Sequence, residues 1–151
     1  MEVRFLVDTM LGRLAKWLRI MGYDAHYRNF YGAQVMEQLL GEGRKLLSRH
    51  LQTIEEYPHA LHIRSDHVRD QLREVEEAGD LRHDRSKWFS RCLTCNWPLQ
   101  KAQGTDAREN VPEYVFFENA ESIRFCPSCR RYYWPGSHRA NMTNQLTEWG
   151  F

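Results

Sequence analysis

The chain has 151 residues, a length that suits one domain of ordinary size or a larger domain with a small appendage. Its 21 Lys and Arg residues nearly balance its 20 Asp and Glu residues, so any surface that binds a polyanion must be local. No apolar run approaches the roughly 20 residues of a membrane helix, and the first residues lack the pattern of a signal peptide. We therefore expect a cytoplasmic protein that does not enter a membrane.

The first residues predict a strand that passes directly into a helix. Residues 3–7 are apolar apart from Arg4, which is typical of a short strand buried on both faces. Asp8 follows at the carboxyl end of this strand. In open α/β sheets that edge commonly holds ligands and metal ions. Asp8 therefore either caps the following helix through a backbone N–H or serves in catalysis, and one side chain can do both.

Residues 10–21 predict a helix, with Gly22 as its C-terminal cap. The apolar face of this helix comprises Leu11, Leu14, Ala15, Leu18 and Met21. Another face carries Arg13, Lys16 and Arg19 at every third position. These cations either contact a polyanion or form an ordinary solvated surface.

Strands and helices continue to alternate up to about residue 78. We predict strands within 23–27, 44–50 and 60–63, helices over 33–40 and 65–78, and a short helix or loop over 51–58. The last helix has Ser65 or Asp66 as its predicted N-cap. This alternation implies an α/β fold with a parallel sheet, covering helices and right-handed crossovers. The charged segment 79–87 is interpreted as a linker, so we predict domains over residues 1–85 and 86–151.

Two Cys-x-x-Cys pairs mark the C-terminal part of the chain: Cys92 with Cys95, and Cys126 with Cys129. In a chain without an export signal this spacing favours a metal site over disulfides. Four thiolates suit tetrahedral zinc, and a redox dithiol or an iron–sulfur cluster is the alternative. Such a zinc ion has no open position, so we expect it to hold together a small ribbon and not to catalyse. Between the pairs, residues 114–117 predict a strand.

Basic and aromatic residues follow the last cysteine. Arg130 and Arg131 precede the aromatic run 132–134, and His138 and Arg139 come shortly after it. Guanidinium groups neutralise phosphates and aromatic rings stack on unpaired bases, so this combination favours single-stranded nucleic acid. The alternative is that the aromatic run is a ribbon strand that packs on the first domain.

Segments along nearly the whole chain carry a family resemblance. They are residues 5–19 (FLVDTMLGRLAKWLR) with 22–24, 42–44 with 47–49, 71–73, both cysteine pairs, and 133–138 (YWPGSH). In these segments the chain resembles the Mut-seven C-terminal RNase domain family, a PIN-like nuclease domain followed by a zinc ribbon. The resemblance implies a metal-dependent endoribonuclease in which carboxylates at the carboxyl edge of the sheet bind Mg²⁺ or Mn²⁺. It also implies that the zinc ribbon helps to bind RNA.

The chain departs from the family pattern at two acidic positions and one turn. It has Gly32-Ala33 where similar sequences carry an acidic residue, and Ser48-Arg49-His50 where they have Thr-Arg-Asp. Arg130 also stands where the second cysteine knuckle would usually have glycine. With Ala33 and His50 in place of two carboxylates, the alternative function is a catalytically impaired RNA-binding or adaptor protein. A third, weaker interpretation is a ribbon module that binds protein.

The candidate catalytic residues are the remaining carboxylates and one histidine. Asp8 occupies the family's first acidic position, and Asp66 and Glu37 are the supporting carboxylates. His50 offers a neutral nitrogen, which suits Mn²⁺ or Zn²⁺ better than Mg²⁺. Alternatively, His50 and Asp66 only pair or cap at the sheet edge. The candidate RNA contacts are Arg13, Lys16, Arg44, Arg49, Arg130, Arg131, His138 and Arg139.

Overall fold

The computed structural model describes residues 2–151, so the first residue of the predicted N-terminal domain lies outside the described part. The chain divides into two compact units. The first ends at Trp88 and the second comprises Phe89–Phe151. No helix within residues 2–151 has the length and apolar character needed to cross a membrane.

The first unit is built on a parallel four-stranded sheet. Its strands are β1 (Phe5–Val7), β2 (Ala25–Tyr27), β3 (Lys45–Ser48) and β4 (Leu61–His62), in the order β2-β1-β3-β4. Its helices are α1 (Gly12–Ile20), α2 (Ala33–Gly41), α3 (Leu51–Glu56) and α4 (Val68–Glu77), followed by a single 3₁₀ turn at Arg85–Lys87. The predicted α/β fold, with a parallel sheet and flanking helices, is confirmed.

Strand order places helices on both faces of this sheet. The chain runs from β1 outward to β2 and then back past β1 to β3, so right-handed crossovers put α1 and α2 on opposite faces. Leu6 and Leu46 are paired across β1 and β3, and they pack with Met36 and Leu39 of α2. Phe5, next to Leu6 along β1, is wholly buried and points to the other face. The double burial explains why β1 is a continuous apolar run.

Helix α1 buries the apolar face that its sequence predicts, but one of its three cations is buried as well. Arg19 is only 7% exposed, and its Nε donates a 2.9 Å hydrogen bond to the backbone oxygen of Ala25. Arg19 thus fastens α1 to β2 and does not belong to an exposed cationic face, contrary to the prediction. Arg13 and Lys16 are exposed as predicted.

Gly22 follows the end of α1 in a conformation that favours glycine, as its predicted role as a cap requires. Its φ is +92°, in the left-handed region that other residues rarely adopt. A Cβ atom at this position would also lie 2.3 Å from the backbone oxygen of Lys87. Both the turn and the close approach of the chain near Lys87 therefore depend on the absence of a side chain.

Helix α4 begins at Val68, later than predicted, and the predicted capping roles of Ser65 and Asp66 are wrong. The residue before the helix is His67, which makes no side-chain capping hydrogen bond. The preceding loop is held instead by the carboxylate of Glu74 within the helix, which accepts hydrogen bonds from the backbone N–H groups of Arg64 and Ser65. The Asp66 side chain is consequently available for a different partner.

The second unit combines a small antiparallel sheet with three helices. The strands β5 (Gln100–Lys101), β6 (Arg124–Phe125) and β7 (Tyr132–Tyr133) lie in that order, and the helices are α5 (Gly104–Asn110), α6 (Glu113–Asn119) and α7 (Ser137–Glu148). The strand predicted at residues 114–117 is wrong, because these residues lie within α6. Val115 and Phe116, which are adjacent in α6, both pack on the core that contains Ile123, whereas Tyr114 and Phe117 are exposed. Adjacent residues of a strand would point to opposite faces, so this burial pattern fits a helix despite the strand propensity of the individual residues.

Candidate functional site

The carboxyl edge of the parallel sheet has a topological switch point between β1 and β3. The chain leaves β1 toward β2 on one side and returns to β3 on the other, so the loops after β1 and β3 diverge. In open α/β sheets this is where ligands bind. Asp8 directly follows β1 and Ser48 is the last residue of β3, so both residues stand at the switch point.

Asp8 is a buried carboxylate fixed by two hydrogen bonds. It is 6% exposed, and its Oδ2 accepts a 2.6 Å hydrogen bond from the wholly buried Ser48 hydroxyl. Its Oδ1 accepts from the backbone N–H of Thr9 at 2.8 Å. The Ser48 oxygen in turn accepts from the backbone N–H of His50 at 3.1 Å. The Asp8 carboxylate does not cap α1, because the N–H of Leu11, the residue before the helix, donates to the backbone oxygen of Asp8 and not to its side chain.

Tyr31, which the sequence did not single out, lies close enough to Asp8 to be affected by its charge, and Tyr31 contacts a second polar side chain, His26. Burial raises the pKa of Tyr31 to about 12, and the negative charge of Asp8 acts in the same direction. The Tyr31 hydroxyl lies 2.8 Å from His26 Nδ1. Burial, followed by the positive charge of Arg44, lowers the pKa of His26. Tyr31 therefore stays a neutral phenol, and His26 favours its neutral form.

The other predicted catalytic residues occupy exposed positions. Asp66 leaves 82% of its side chain exposed and pairs with Arg49 at 2.7 Å. This hydrogen bond, together with the charge of Arg49, lowers the pKa of the Asp66 carboxyl group. His50 is exposed just before α3. Glu37 is exposed on α2, close enough to Tyr57 for its charge to raise the pKa of that phenol after the larger effect of burial.

These acidic residues do not form a ready-made metal cluster. Across residues 2–151, only one group of three or more His, Cys, Asp or Glu residues has all its ligand atoms within 4.8 Å of one another, and that group is the four cysteines. Ala33 and His50, at the positions of the two missing carboxylates, are both exposed. The carboxyl edge of the sheet therefore has one buried carboxylate that could bind a metal ion, Asp8, and the other candidate ligands are exposed.

The predicted phosphate contacts of the first unit differ in their surroundings. Arg13 and Lys16 are exposed on α1, the helix that follows Asp8. Arg49 is half-exposed next to Ser48 at the carboxyl edge, where it also donates to the backbone oxygen of Arg64. None of these three cations is buried, so all three remain candidates for phosphate contact.

Arg44, in contrast, is held by ion pairs and a backbone hydrogen bond within the first unit. Its side chain is 9% exposed and lies before β3, at the opposite edge of the sheet. It donates to both carboxylate oxygens of Asp24, at 2.7 and 3.2 Å, and to the backbone oxygen of Phe5 at 3.1 Å. Glu42 is a second ion-pair partner at 2.9 Å. This residue joins the starts of β1 and β3, and it is not positioned to contact a phosphate at Asp8.

The two cysteine pairs of the second unit form equivalent turns. In the first turn the N–H of Cys95 donates to Cys92 Sγ at 3.3 Å, and the N–H of Asn96 donates to the Cys92 oxygen at 2.9 Å. In the second turn the corresponding bonds join Cys129 to Cys126 Sγ at 3.5 Å and Arg130 to the Cys126 oxygen at 2.8 Å. Such turns direct two sulfurs toward one point.

The residue after each turn adopts a left-handed backbone conformation. The φ angles are +63° at Asn96 and +64° at Arg130. Asparagine tolerates this region, but arginine does so at an energetic cost. The departure at Arg130 thus leaves the turn intact and its ligand in place.

The four sulfurs converge to form a metal-binding group. The ligand atoms of Cys92, Cys95, Cys126 and Cys129 all lie within 4.8 Å of one another. Cys92 Sγ and Cys129 Sγ are 3.7 Å apart. Two sulfurs bound at about 2.3 Å to a tetrahedral ion would be about 3.8 Å apart. The group can therefore hold a metal ion such as zinc.

Tyr133 supports one of these sulfurs. Its hydroxyl lies 3.2 Å from Cys92 Sγ and accepts a hydrogen bond from the N–H of Leu93 at 3.3 Å. Burial acts to raise the pKa of Cys92, but hydrogen bonds from Tyr133 and from the backbone of Cys95 outweigh it and lower the pKa to about 7. The environment thus favours the thiolate, which is the form that binds metal. Burial raises the pKa of Cys95 to about 12.

The predicted RNA contacts of the second unit fall into two groups. Arg130 and Arg131 are exposed beside the second cysteine turn, where Arg131 also contacts Thr94. His138 and Arg139 lie in the first turn of α7 and line a cavity described below. The sequence pattern found both groups but did not separate them.

Comparison with known families agrees with this arrangement. The family model described as the Mut7-C RNAse domain matches residues 3–146, nearly the whole chain, including Asp8 and the four cysteines. Comparisons with curated proteins and with solved structures gave no significant match. With the family model matched from before β1 into α7, the chain belongs to the Mut7-C RNase domain family.

Proposed function

We propose that this protein is a metal-dependent ribonuclease whose active site lies at Asp8, in a PIN-like domain, with a structural zinc ribbon that helps to bind single-stranded RNA. The observation that supports it most is the buried Asp8 carboxylate at the switch point of the sheet, fixed by the Ser48 hydroxyl. Membership of an RNase domain family supports the same reaction class. Asp8 is accordingly the residue on which the proposal depends.

Asp8 fits a metal that keeps most of its own water. Mg²⁺ is commonly bound through one or two carboxylates, several waters and substrate phosphates, so a complete set of protein ligands is not required. Each Asp8 oxygen accepts one hydrogen bond and retains a further lone pair. A bound Mg²⁺ or Mn²⁺ would activate water and neutralise charge on the phosphate. Asp66, Glu37 and His50 are the candidate supporting ligands.

The chain's own residues contribute orientation and charge. The Ser48 hydroxyl and the Thr9 N–H fix the Asp8 carboxylate, so its free lone pairs point in defined directions. Arg13, Lys16 and Arg49 supply the positive charge that holds an RNA phosphate near it. His50 lies two residues after Ser48, to whose hydroxyl oxygen its backbone N–H donates, and a nitrogen ligand at this position favours Mn²⁺ over Mg²⁺.

A second candidate function is RNA binding without efficient cleavage. It is supported by the ion pair between Asp66 and Arg49, which occupies one of the remaining carboxylates, and by the lack of a three-residue acidic group in the described chain. In that case Arg13, Lys16 and Arg49 would still bind RNA, but the acidic site would have lost its catalytic function.

The deciding experiment measures cleavage of a labelled single-stranded RNA by the full zinc-loaded chain in Mn²⁺, in Mg²⁺ and without added metal. We compare wild type with Asp8→Asn, and with Asp70→Asn as a control that makes the same change at a partly exposed carboxylate of α4. We expect Mn²⁺-dependent turnover in wild type and Asp70→Asn, reduced at least 100-fold in Asp8→Asn. Equal cleavage by all three proteins would refute a site at Asp8.

A metal titration separates the two candidate functions. The ribonuclease proposal predicts that calorimetry detects one Mn²⁺ site beyond the tightly bound zinc, and that Asp8→Ala abolishes it. His50→Ala should weaken Mn²⁺ binding more than Mg²⁺ binding if His50 is a ligand. RNA binding without a second metal site at millimolar Mn²⁺ would favour the binding function.

A further inference from the structure

The second unit contains a cavity of about 560 Å³ within the span from Phe89 to Met142. Its walls come from α6, β7 and the start of α7. This volume lies in the range of pockets that bind small molecules and cofactors, roughly 300–1,000 Å³. Neither Arg130 nor Arg131 lines the cavity, so it is distinct from the basic surface beside the cysteine turn.

Aromatic rings form much of the cavity wall. Tyr114 on α6 lines it while 66% of the residue remains exposed, so its ring is accessible to a ligand. Trp134, just after β7, lies on another part of the wall. Gly136 comes so close to this indole that a Cβ atom would lie 3.1 Å from Trp134 Nε1. The wall therefore presents one accessible ring and one closely packed ring.

Three arginines, Arg91, Arg124 and Arg139, line the same cavity and give it a positive charge. Arg139 lies with its Cζ 4.6 Å from the centre of the Phe89 ring, which fixes its position. Arg124 lines the same cavity, and its positive charge, after the larger effect of burial, lowers the pKa of Arg139. Within residues 2–151 neither Arg124 nor Arg139 forms an ion pair with a carboxylate. An anionic ligand would relieve this repulsion.

We propose that this cavity binds one unpaired nucleotide of single-stranded RNA, with the base stacked on Tyr114 and the phosphate held by Arg124 and Arg139. Aromatic rings next to guanidinium groups match a flat base joined to a phosphate. Glu118, also on the wall, can accept a hydrogen bond from an N–H group of the base, such as the ring N3–H of uracil. A purely apolar ligand would leave the two cations uncompensated, and a base within a duplex could not enter.

The inference rests on the proposed action on RNA, but its test does not depend on cleavage. Every protein carries Asp8→Asn, and no Mn²⁺ or Mg²⁺ is added. The probe is a fluorescein-labelled 12-nucleotide oligouridylate, and fluorescence anisotropy measures its Kd. Tyr114→Ala is compared with Phe117→Ala, which removes another α6 aromatic residue with the same 66% exposure but outside the cavity wall. Arg139→Gln is compared with Arg108→Gln on α5, also outside the wall.

We expect Tyr114→Ala and Arg139→Gln each to raise the Kd at least fivefold, whereas the two controls stay within twofold of the parent. Arg139→Gln should also reduce the slope of log K against log salt by about 0.7. A 12-base-pair duplex should bind at least tenfold more weakly than the single strand. Zinc content and circular dichroism establish that each variant is folded. A cavity variant that binds like its control, or a duplex that binds as tightly, would overturn the proposal.

If Asp8→Asn leaves RNA cleavage unchanged while the cavity variants weaken binding, the proposed catalytic site fails and the nucleotide cavity stands. If cleavage depends on Asp8 but the cavity variants bind like their controls, the cavity proposal fails alone.

Discussion

Ser48 donates its hydroxyl to Asp8 Oδ2 at 2.6 Å, and this hydrogen bond joins the ends of the two central strands in a buried position. The two residues are 40 positions apart in the chain. No other side chain in the described residues donates a hydrogen bond to the Asp8 carboxylate. The orientation of the proposed metal ligand thus depends on one side-chain hydroxyl group in addition to the backbone N–H of Thr9.

Replacement of Ser48 by alanine tests this dependence. Removing the donor leaves a buried carboxylate oxygen unsatisfied, so we expect Ser48→Ala to lower the free energy of unfolding by about 1–3 kcal/mol. We also expect RNA cleavage per folded molecule to fall at least tenfold. Urea denaturation and initial cleavage rates measure the two effects. Ser65→Ala, in the loop before α4, is the control and should change neither. Lower stability with unchanged cleavage would limit Ser48 to a structural role.

The ion pair between Arg44 and Asp24 should matter for stability and not for RNA. Arg44→Gln removes one member of a largely buried pair, so we expect a loss of about 3 kcal/mol in the free energy of unfolding. Arg69→Gln breaks an exposed pair with Asp70 and should cost less than about 1 kcal/mol. Chemical denaturation compares the two variants. A specific loss of RNA affinity in folded Arg44→Gln would restore the phosphate contact predicted from the sequence.

Metal removal should affect the second unit most directly. We expect one zinc ion per chain by atomic emission, with Co²⁺ substitution giving the absorption of four thiolate ligands. Cys126→Ser should lower the metal affinity and expose residues 89–151 to proteolysis, because the small core centred on Ile123 cannot replace the metal. Ser128→Ala, inside the same turn, should keep the metal. Recovery of iron and sulfide instead would identify an iron–sulfur cluster.

The lowered pKa of His26 predicts a pH-dependent contribution to stability. Burial, and then the charge of Arg44, disfavours the protonated ring in the folded state. A group whose folded pKa lies below its unfolded value stabilises the fold above the unfolded value, about 6.5, and loses this contribution as the pH falls through the folded pKa. Wild type should therefore lose more thermal stability between pH 7 and pH 5 than His26→Asn, which keeps an acceptor for Tyr31 but cannot titrate.

The control for this comparison is His59→Asn, which replaces an exposed histidine in the same unit. Its melting temperature should follow that of wild type across the pH range. If His26→Asn also follows wild type, His26 titrates at its ordinary pKa and the prediction is wrong.

A comparison of alanine substitutions at two glycines distinguishes the effect of steric crowding from that of backbone strain. Gly22 and Gly43 both have positive φ angles, +92° and +84°, so alanine at either position adopts an unfavourable conformation costing about 1–2 kcal/mol. At Gly43 no atom lies within 4 Å of a new Cβ, whereas at Gly22 the Lys87 oxygen would be 2.3 Å away. Gly22→Ala should therefore lower the free energy of unfolding clearly more than Gly43→Ala. Equal losses would show that the chain near Lys87 moves aside.

The sequence predicted those features that depend on local spacing. The apolar run before Asp8, the buried face of α1 and the four-cysteine group follow from periodicity and from ligand spacing, and the structure contains all three. Ser48 escaped prediction as the partner of Asp8 because the contact forms only when β3 returns beside β1. Hydrogen bonds of this kind depend on strand order, which a single sequence does not encode locally.

Residue charge and strand propensity gave wrong predictions at positions where tertiary contacts determine the structure. Arg19 and Arg44 carry the charge expected of phosphate contacts. Their hydrogen bonds to Ala25 and Asp24, however, give them structural roles within the first unit. Residues 114–117 favour a strand by their aromatic and β-branched side chains, but packing of Val115 in the core fixes a helix. In each case tertiary contacts outweighed the intrinsic preference of the residues.

The separation of Asp8 and Ser48 along the chain also determines when the site exists during folding. A nascent chain that has completed β1, α1 and β2 contains the Asp8 carboxylate but lacks β3, and so lacks its hydrogen-bond donor. Pairing strands that are so far apart in the chain is slow compared with forming the local helix α1. The oriented carboxylate therefore arises late, together with the assembled sheet, and a partly folded chain carries the acidic residue without the site.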